Sequence, residues 1–84
     1  MYKVIFDEKS IDFLNKLPKS RRKRIFNKII STKENPFFFF ERLKGRNDYK
    51  LRIGVYRAIA NINKKTKKID ILIIGHRKNI YKNI

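Results

Sequence analysis

The fold is decided in the C-terminal half of the chain, where residues 49–62 read YKLRIGVYRAIANI and residues 69–74 read IDILII. In the first stretch apolar residues alternate with cations, which predicts a β-strand with one buried face. Gly54 marks a tight turn into a second strand over Val55–Ile62, and the polar residues 63–68 form the next hairpin loop. The second stretch lacks alternation and predicts a strand that is buried on both faces. The pattern therefore predicts three antiparallel strands in succession.

The N-terminal half predicts one further strand and two helices. Tyr2–Phe6 is rich in β-forming residues, and Asp7 suits the N-cap of a first helix. The apolar residues of that helix recur at a spacing of three, at Ile11, Leu14 and Leu17. Pro18 opens a second helix, and Asn35 before Pro36 ends it. The buried stripe of the second helix consists of Ile25, Phe26, Ile29 and Ile30.

These elements predict an α+β fold in a single domain over residues 1–84. We expect an N-terminal strand, two helices and a three-strand antiparallel meander, which form one twisted sheet with the helices packed on one face. The run Phe37–Phe40 fits no single strand, because four consecutive aromatic side chains cannot all face one core. We interpret this run as core packing, with a groove for a partner protein as the alternative.

The chain is strongly basic, with 23 Lys and Arg against 7 Asp and Glu and a formal net charge of +16. The cations are spread along the whole sequence, so the folded domain itself is a polycation whose natural partner is a polyanion. We expect contact with nucleic acid or the ribosome, and no membrane partner. The sequence contains no Cys, and no apolar run is long enough for a signal peptide or a membrane span. A cytoplasmic protein is therefore expected.

Conventional hydrolytic sites can be tested by elimination. The seven acidic residues form no spaced set on one strand face that would hold two metal ions. A single His excludes a ribonuclease that uses a pair of histidines as acid and base. The serines lie in predicted helices without a Gly-flanked turn, and no Gly-rich phosphate loop is present. We expect neither a metal nor a cofactor.

A group of basic residues on the predicted strands remains as the candidate site. Lys50 and Arg52 are two positions apart, so they project from the same face of the sheet. Arg57 has the outward parity on the next strand and is expected beside them. Arg77 follows the buried strand, and Tyr81 lies about one helical turn later. The alternative is a merely solvated face, but Arg57 interrupts an apolar strand, and half-buried cations need partners.

Several short motifs in this half of the chain occur in a fixed order. They are Leu43-Lys44-Gly45, a Tyr-Lys-x-Arg strand at residues 49–52, Tyr56-Arg57, and Gly75-His76-Arg77 followed by Tyr81. This ordered set, which covers about half of the chain, resembles the RelE family of toxin–antitoxin systems within the wider RelE/ParE superfamily. Each motif alone is weak, whereas their succession is fairly specific. The N-terminal strand and helices match the family layout without distinctive residues.

The resemblance implies a toxin of a type II toxin–antitoxin pair. Family members of this kind are metal-independent endoribonucleases that cleave messenger RNA, commonly at the ribosomal A site, and so inhibit translation. A cognate RelB-like antitoxin that wraps around the toxin is the implied protein partner, and messenger RNA and the ribosome are the other partners. Carried over residue by residue, the resemblance gives as catalytic residues Lys50, Arg52, Arg57, Arg77 and Tyr81.

The chemistry of RNA cleavage indicates hypothetical roles for these side chains. RNA supplies its own nucleophile, the ribose 2′-hydroxyl, so the protein has to position it, move protons and stabilise the phosphorane. Arg57 and Arg77 can hold phosphate oxygens, and Lys50, among like charges, is a conceivable general base. Tyr81 can stack on a base or act as the acid. His76 has the opposite strand parity to Arg77 and is a secondary candidate.

Two other functions stay open at this point. A ParE-like toxin has the same fold and inhibits DNA gyrase instead of cutting RNA. A nonenzymatic ribosome- or RNA-binding module would use the basic patch only for phosphate contacts, and would lose affinity steeply with salt. In either toxin reading, an antitoxin with an amphipathic helix is expected to cover exposed apolar surface, to which Phe37–Phe40 could contribute.

Overall fold

The predicted meander forms the centre of the sheet in a computed structural model, which describes residues 1–83. In chain order the elements are β1 (Lys3–Phe6), α1 (Glu8–Asn15), α2 (Lys19–Ser31), α3 (Pro36–Phe39), β2 (Glu41–Arg42), β3 (Tyr49–Ile53), β4 (Tyr56–Asn63), β5 (Lys68–His76) and a C-terminal 3₁₀ turn (Ile80–Asn83). The strand order is β1-β5-β4-β3-β2. β1 runs parallel to β5, and all other neighbours are antiparallel.

The predicted α+β class is confirmed, and two details of the topology are new. The chain forms a fifth strand, β2, which consists of only two residues and pairs with the start of β3. A strand of that length shows no period in the sequence, which is why it was missed. β1, near the N-terminus, pairs in parallel with β5, in the C-terminal half. The two halves of the chain therefore share one sheet and one core.

The core lies between the helices and one face of the sheet. Ala58 and Ala60 in the central strand β4 are fully buried, and their small side chains leave room for the helices above them. The helices and strands contribute the buried side chains Leu14, Ile25, Ile29, Leu51, Ile53, Ile69, Ile71 and Ile74. The longest helix has 13 residues, and no helix in the described part of the chain is long and apolar enough to cross a membrane.

A β-bulge explains why β5 lacks alternation in the sequence. Ile59 pairs with Ile73 and Ala60 pairs with Ile71, so Leu72 has no partner on β4. In a regular strand, residues three positions apart face opposite sides of the sheet. The extra residue removes this opposition, so Ile71 and Ile74 both face the core. Leu72 and Ile73 are only half-buried. The prediction of a strand buried on both faces is therefore only partly right.

The first helix differs from the sequence prediction in its cap and in its length. Asp7 occupies the N-cap position, but its side chain makes no capping hydrogen bond. The fully buried Ser10 hydroxyl instead donates to the backbone oxygens of Asp7 at 2.7 Å and Ile71 at 3.1 Å, which ties α1 to β5. The helix ends at Asn15, so Leu17 lies beyond it. Ile11, predicted in the buried stripe, is exposed.

The aromatic run after α2 forms the short helix α3 and the residue that follows it. Phe40 is buried in the core, and Phe37 is half-buried with its ring edge-on to Tyr49 at a centroid distance of 5.6 Å. Phe38 is 76% exposed. Core packing thus accounts for Phe40 and much of Phe37, whereas Phe38 faces solvent.

Burial predicts that truncating two isoleucines lowers the stability by very different amounts, although the sequence pattern places both in a buried stripe. Ile29→Ala should lower the free energy of unfolding by about 2–5 kcal/mol, because Ile29 is fully buried under the sheet. Ile11→Ala removes the same atoms from a side chain that is 44% exposed, and should cost less than about 1 kcal/mol. Urea unfolding of both variants measures the difference, and equal losses would contradict the described packing.

Candidate functional site

The sheet has a second face, which α1 and α2 do not cover, and the predicted basic residues lie on it. We call it the open face; it carries Lys50, Arg52, Arg57, Ile59 and Gly75. The register places Arg52 directly opposite Arg57 and Lys50 opposite Ile59. Arg57 is in turn opposite Gly75 on β5. Because neighbouring strands are only about 4.8 Å apart, Arg52 and Arg57 stand side by side.

Arg57 is held more rigidly than the sequence predicts. Its side chain is only 9% exposed, and its Nη1 donates to the backbone oxygens of Gly54 at 2.8 Å and Tyr56 at 2.7 Å. The prediction that Arg57 points outward is therefore wrong in this respect: the guanidinium folds back onto the β3–β4 hairpin. No fully buried side-chain nitrogen or oxygen in the described part of the chain lacks a partner, so Nε and Nη2, which have none, keep some exposure to solvent.

The environment of Arg57 leaves a positive charge without a matching anion. Carbonyl dipoles satisfy Nη1, and no carboxylate within residues 1–83 forms an ion pair with Arg57. A guanidinium fixed in this way loses little conformational freedom when it binds an oxyanion, since its orientation is already set. Two free donor atoms in one plane suit two oxygens of a phosphate group.

Glu41 is a site residue that sequence reasoning missed. It lies on β2 opposite Lys50, and its Oε2 is 3.9 Å from Lys50 Nζ. Lys50 thus has a carboxylate within 4 Å, and its surroundings are not of like charge alone, as the sequence argument for a general base assumed. No local signal identifies Glu41, because the pairing of the two-residue strand depends on contacts distant in sequence. Within residues 1–83, no three carboxylates or imidazoles cluster as metal ligands would.

The C-terminal turn packs onto the open face. Ile80 is 1% exposed, and its Cβ lies 3.4 Å from the position that a side-chain carbon on Gly75 would occupy. Gly75 is the strand partner of Arg57, so this contact places the turn next to Arg57 on the open face. Tyr81, the next residue, is 43% exposed. Ile80 was missed because a single apolar residue in a basic tail has no periodicity.

Arg77 and His76 lie at the end of β5, beside the β3–β4 hairpin. The backbone N–H of Arg77 donates to the Val55 oxygen at 2.7 Å, so the exposed Arg77 lies at the β3–β4 hairpin. His76 is opposite Tyr56, and their rings meet on the helix side of the sheet at a centroid distance of 6.2 Å. His76 Nδ1 accepts a hydrogen bond from the Lys78 backbone N–H at 3.2 Å. Hence His76 does not join the cations of the open face.

The chain matches a family model over residues 4–81, and that model describes the ParE toxin of the type II toxin–antitoxin system parDE. The match covers nearly the whole described structure, including all three α-helices and all five strands except Lys3, the first residue of β1. No curated protein has a sequence similar enough to count as a match.

Solved structures resemble this chain over nearly its full length. A chain of the RelBE2 toxin–antitoxin complex from Mycobacterium tuberculosis superposes with a TM-score of 0.83 at 23% identity, covering 90% of this chain and 98% of the other. The RelE–RelB complex from Pyrococcus horikoshii gives 0.77 at 29% identity, with 90% and 94% covered. The RelB–RelE complex from Methanococcus jannaschii gives 0.71 at 27% identity, with 95% and 98% covered.

The buried position of Ile80 against Gly75 predicts that this one side chain holds the C-terminal turn on the sheet. Ile80→Ala removes the buried contact with Gly75, so the backbone amides of the turn should exchange hydrogen at least about tenfold faster, while those of β4 and β5 keep their protection. Lys82→Ala, an exposed change in the same turn, should leave exchange unaltered. Hydrogen-exchange mass spectrometry measures both, and an unchanged rate in Ile80→Ala would contradict this anchoring.

Proposed function

The chain belongs to the ParE toxin family of type II toxin–antitoxin systems, within the RelE/ParE superfamily, and from its RelE-like motifs and the geometry of its open face we propose that it is a toxin that cleaves messenger RNA. The observation that carries the proposal is the buried, carbonyl-held Arg57 on a face where Arg52 stands directly opposite. A purely nonenzymatic basic patch needs exposed cations but no guanidinium in a fixed orientation. A fixed oxyanion-binding group is what a phosphoryl-transfer transition state requires.

The reaction that suits this face uses the RNA's own 2′-hydroxyl as nucleophile. The 2′-oxygen forms a bond to the adjacent phosphorus, and the bond from phosphorus to the 5′-oxygen breaks. The proton of the 2′-hydroxyl goes to a base, and the leaving 5′-oxygen receives one from an acid. The products are a 2′,3′-cyclic phosphate and a 5′-hydroxyl end. No water molecule and no oxidant or reductant takes part.

We assign phosphate binding to the arginines. Arg57 Nε and Nη2 are free and pre-oriented, so they can hold two phosphate oxygens as negative charge develops on them. Arg77 is exposed at the end of β5, beside the hairpin that holds Arg57, and supplies a second guanidinium from that side. Arg52 is exposed opposite Arg57 and adds positive potential without a fixed partner.

We assign proton transfer to residues on either side of these arginines. The Glu41 carboxylate can accept the proton of the 2′-hydroxyl, and Lys50, 3.9 Å from it, keeps that carboxylate beside the phosphate and contacts the RNA as an ammonium group. Tyr81 is half-exposed on the turn that Ile80 seats. Its hydroxyl can protonate the leaving oxygen, or its ring can stack on the neighbouring base.

Such a site depends on an ordered substrate. Glu41 and Arg77 are exposed, so the protein by itself holds the reacting ribose loosely. The ribosomal A site presents messenger RNA in an extended conformation and is rich in phosphate, which attracts a chain of net charge +16. We therefore propose the translated messenger as the substrate.

A cognate RelB-like antitoxin is the proposed protein partner. The similar solved structures include toxin–antitoxin complexes. In this chain an apolar groove of about 570 Å³ lies between α1 and α2, and its floor includes the exposed Ile11 and Phe26. The ring of Phe26 stacks on that of Phe6 at 5.5 Å. Because the rim of the groove is basic, with Lys19, Arg22 and Lys23, the helix that fills it should carry acidic residues beside its apolar face.

A second candidate function is inhibition of DNA gyrase, because the matching family model is that of ParE. A gyrase inhibitor would arrest growth without cut messenger and would not need the arginines of the open face. The same arginine variants therefore separate the two functions.

The nuclease proposal predicts a steep loss of activity when Arg77 is truncated. Arg77→Ala removes a guanidinium that contacts the phosphate, so messenger cleavage in a translating extract should fall about 10²–10³-fold. Lys78→Ala removes the same charge from an adjacent exposed position and should stay within about threefold of the unchanged protein. Arg57→Lys tests geometry at constant charge and should also be strongly impaired.

The results of these variants discriminate among the candidate functions. Growth arrest by Arg77→Ala that equals that of the unchanged toxin, together with inhibited gyrase, would establish the second candidate. If the unchanged protein binds RNA but leaves messenger uncut, the chain is a nonenzymatic binding module.

Ribosome dependence yields a separate prediction. With its substrate held loosely, the purified protein should cut a ribosome-bound messenger at least about 10²-fold faster than the same messenger free in solution. Primer extension on both samples gives the two rates. Equal rates would show that the protein itself orients the ribose, and would contradict the A-site proposal while leaving RNA cleavage intact.

A further inference from the structure

A second basic cavity lies at the same end of the sheet as Arg77, but on the helix side. We call it the end pocket; it has a volume of about 400 Å³ and is lined by Arg21, Arg24, Val55, Tyr56 and His76. Two arginines come from α2, and the other residues come from the β3–β4 hairpin and the end of β5. No carboxylate lines it, so the pocket is cationic on one side and aromatic on the other.

The cations of the end pocket are not engaged elsewhere. Within residues 1–83, neither the Arg21 nor the Arg24 side chain forms an ion pair or a hydrogen bond. They are three positions apart on α2, so they project from the same side of the helix. Nδ1 of His76 accepts from the Lys78 backbone, which leaves Nε2 as the donor of the neutral ring. Three donor groups are therefore available around one cavity.

Gly54 joins the end pocket to the open face. Arg24 Nη2 lies 3.0 Å from the position that a side-chain carbon on Gly54 would occupy, so the guanidinium rests against the hairpin backbone. The oxygen of the same residue accepts from Arg57 on the other side. At the end of β5, His76 lines the pocket, and the exposed Arg77, the next residue, is bonded through its backbone N–H to Val55 of the same hairpin. The positive surface thus continues around the end of the sheet without an acidic interruption.

We propose that the end pocket binds a phosphodiester group of the same RNA strand, beyond the phosphate that is cleaved on the open face. This inference rests on the proposed function in one respect, namely that RNA is the substrate of the open face. A strand that leaves the open face at Arg77 crosses the hairpin and next meets Arg24, Arg21 and His76. The pocket then fixes the direction and the register of the strand, which the exposed residues of the open face do not.

The chemistry of the pocket fits a phosphodiester better than other anions. Two guanidinium groups on one helix side offer paired donors to two non-bridging oxygens. The half-buried His76 ring and the Tyr56 ring, which meet edge to face, give an aromatic wall beside them, against which a ribose or a base can lie. A metal cation is excluded by the charge, and the carboxylates of an acidic peptide lack the ribose and the base that would lie against the two aromatic rings.

Binding of an uncleavable RNA tests the pocket independently of catalysis. The probe is a fluorescent eight-nucleotide RNA with 2′-O-methyl groups throughout, whose nucleophile is blocked. Its affinity for the Arg21→Gln/Arg24→Gln variant should fall about tenfold or more, because two charge-assisted contacts are lost. The slope of log affinity against log salt should fall by about 0.7 for each phosphate no longer neutralised.

The matched control removes two charges at the opposite end of the sheet. Lys65→Gln/Lys68→Gln should lower the affinity by no more than about threefold, since both residues are exposed and far from the hairpin. A 2′-O-methyl dinucleotide, which is too short to reach from the open face to the pocket, should bind equally to the unchanged protein and to the Arg21→Gln/Arg24→Gln variant. Thermal unfolding of each variant checks that the fold is retained.

The outcomes separate this inference from the proposed function. If both double variants weaken the eight-nucleotide probe equally, the effect is that of overall charge and the pocket is not a site, whatever the cleavage assays show. If inorganic phosphate at millimolar concentration competes as well as RNA does, the pocket binds free phosphate and the strand-path inference is overturned. A selective loss in Arg21→Gln/Arg24→Gln supports the pocket even if the unchanged protein cuts no messenger.

Discussion

The left-handed backbone of Gly54 is the constraint on which the site depends. Its φ of +60° lets β3 reverse into β4 within two residues, and this turn fixes the register in which Arg52 faces Arg57. The carbonyl exposed by the turn holds Nη1 of Arg57, and the missing side chain lets Arg24 approach from the helix side. One residue without a Cβ thus aligns a guanidinium on each face of the sheet.

A domain of this size with a net charge of +16 must offset strong self-repulsion. Most of its cations are exposed and far from the core, where water and salt screen them. Arg57 is the one buried cation of residues 1–83, and its charge is compensated by backbone dipoles instead of a carboxylate. An ion pair there would neutralise the guanidinium that we propose as the phosphate-binding group, whereas compensation by carbonyl groups leaves the buried cation without a bound anion. The proposed acidic antitoxin would supply the missing negative charge from outside.

Strand parity in the sequence was sufficient to predict the α+β class, the β3–β4 hairpin and the face shared by Lys50 and Arg52. These features follow from local periodicity and from the conformational freedom of Gly54. The other features of the candidate site depend on contacts between residues that are distant in the sequence. Glu41 comes opposite Lys50 only because the two-residue strand β2 pairs with β3. Ile80 contacts Gly75 only once the strands of the sheet have assembled. The folded-back conformation of Arg57 is a choice among rotamers, which periodicity cannot encode.

The chemistry of the cut ends tests most directly the claim that a metal-free cluster of cations promotes attack by the ribose 2′-hydroxyl. Messenger from a translating extract treated with the toxin can be ligated to adaptors that accept either 5′-hydroxyl or 5′-phosphate ends, and sequenced. The arrangement around Arg57 predicts new 5′-hydroxyl ends, paired with 2′,3′-cyclic phosphates on the upstream fragments. New ends that carry 5′-phosphate, or an uncut messenger in the presence of arrested growth, would contradict it.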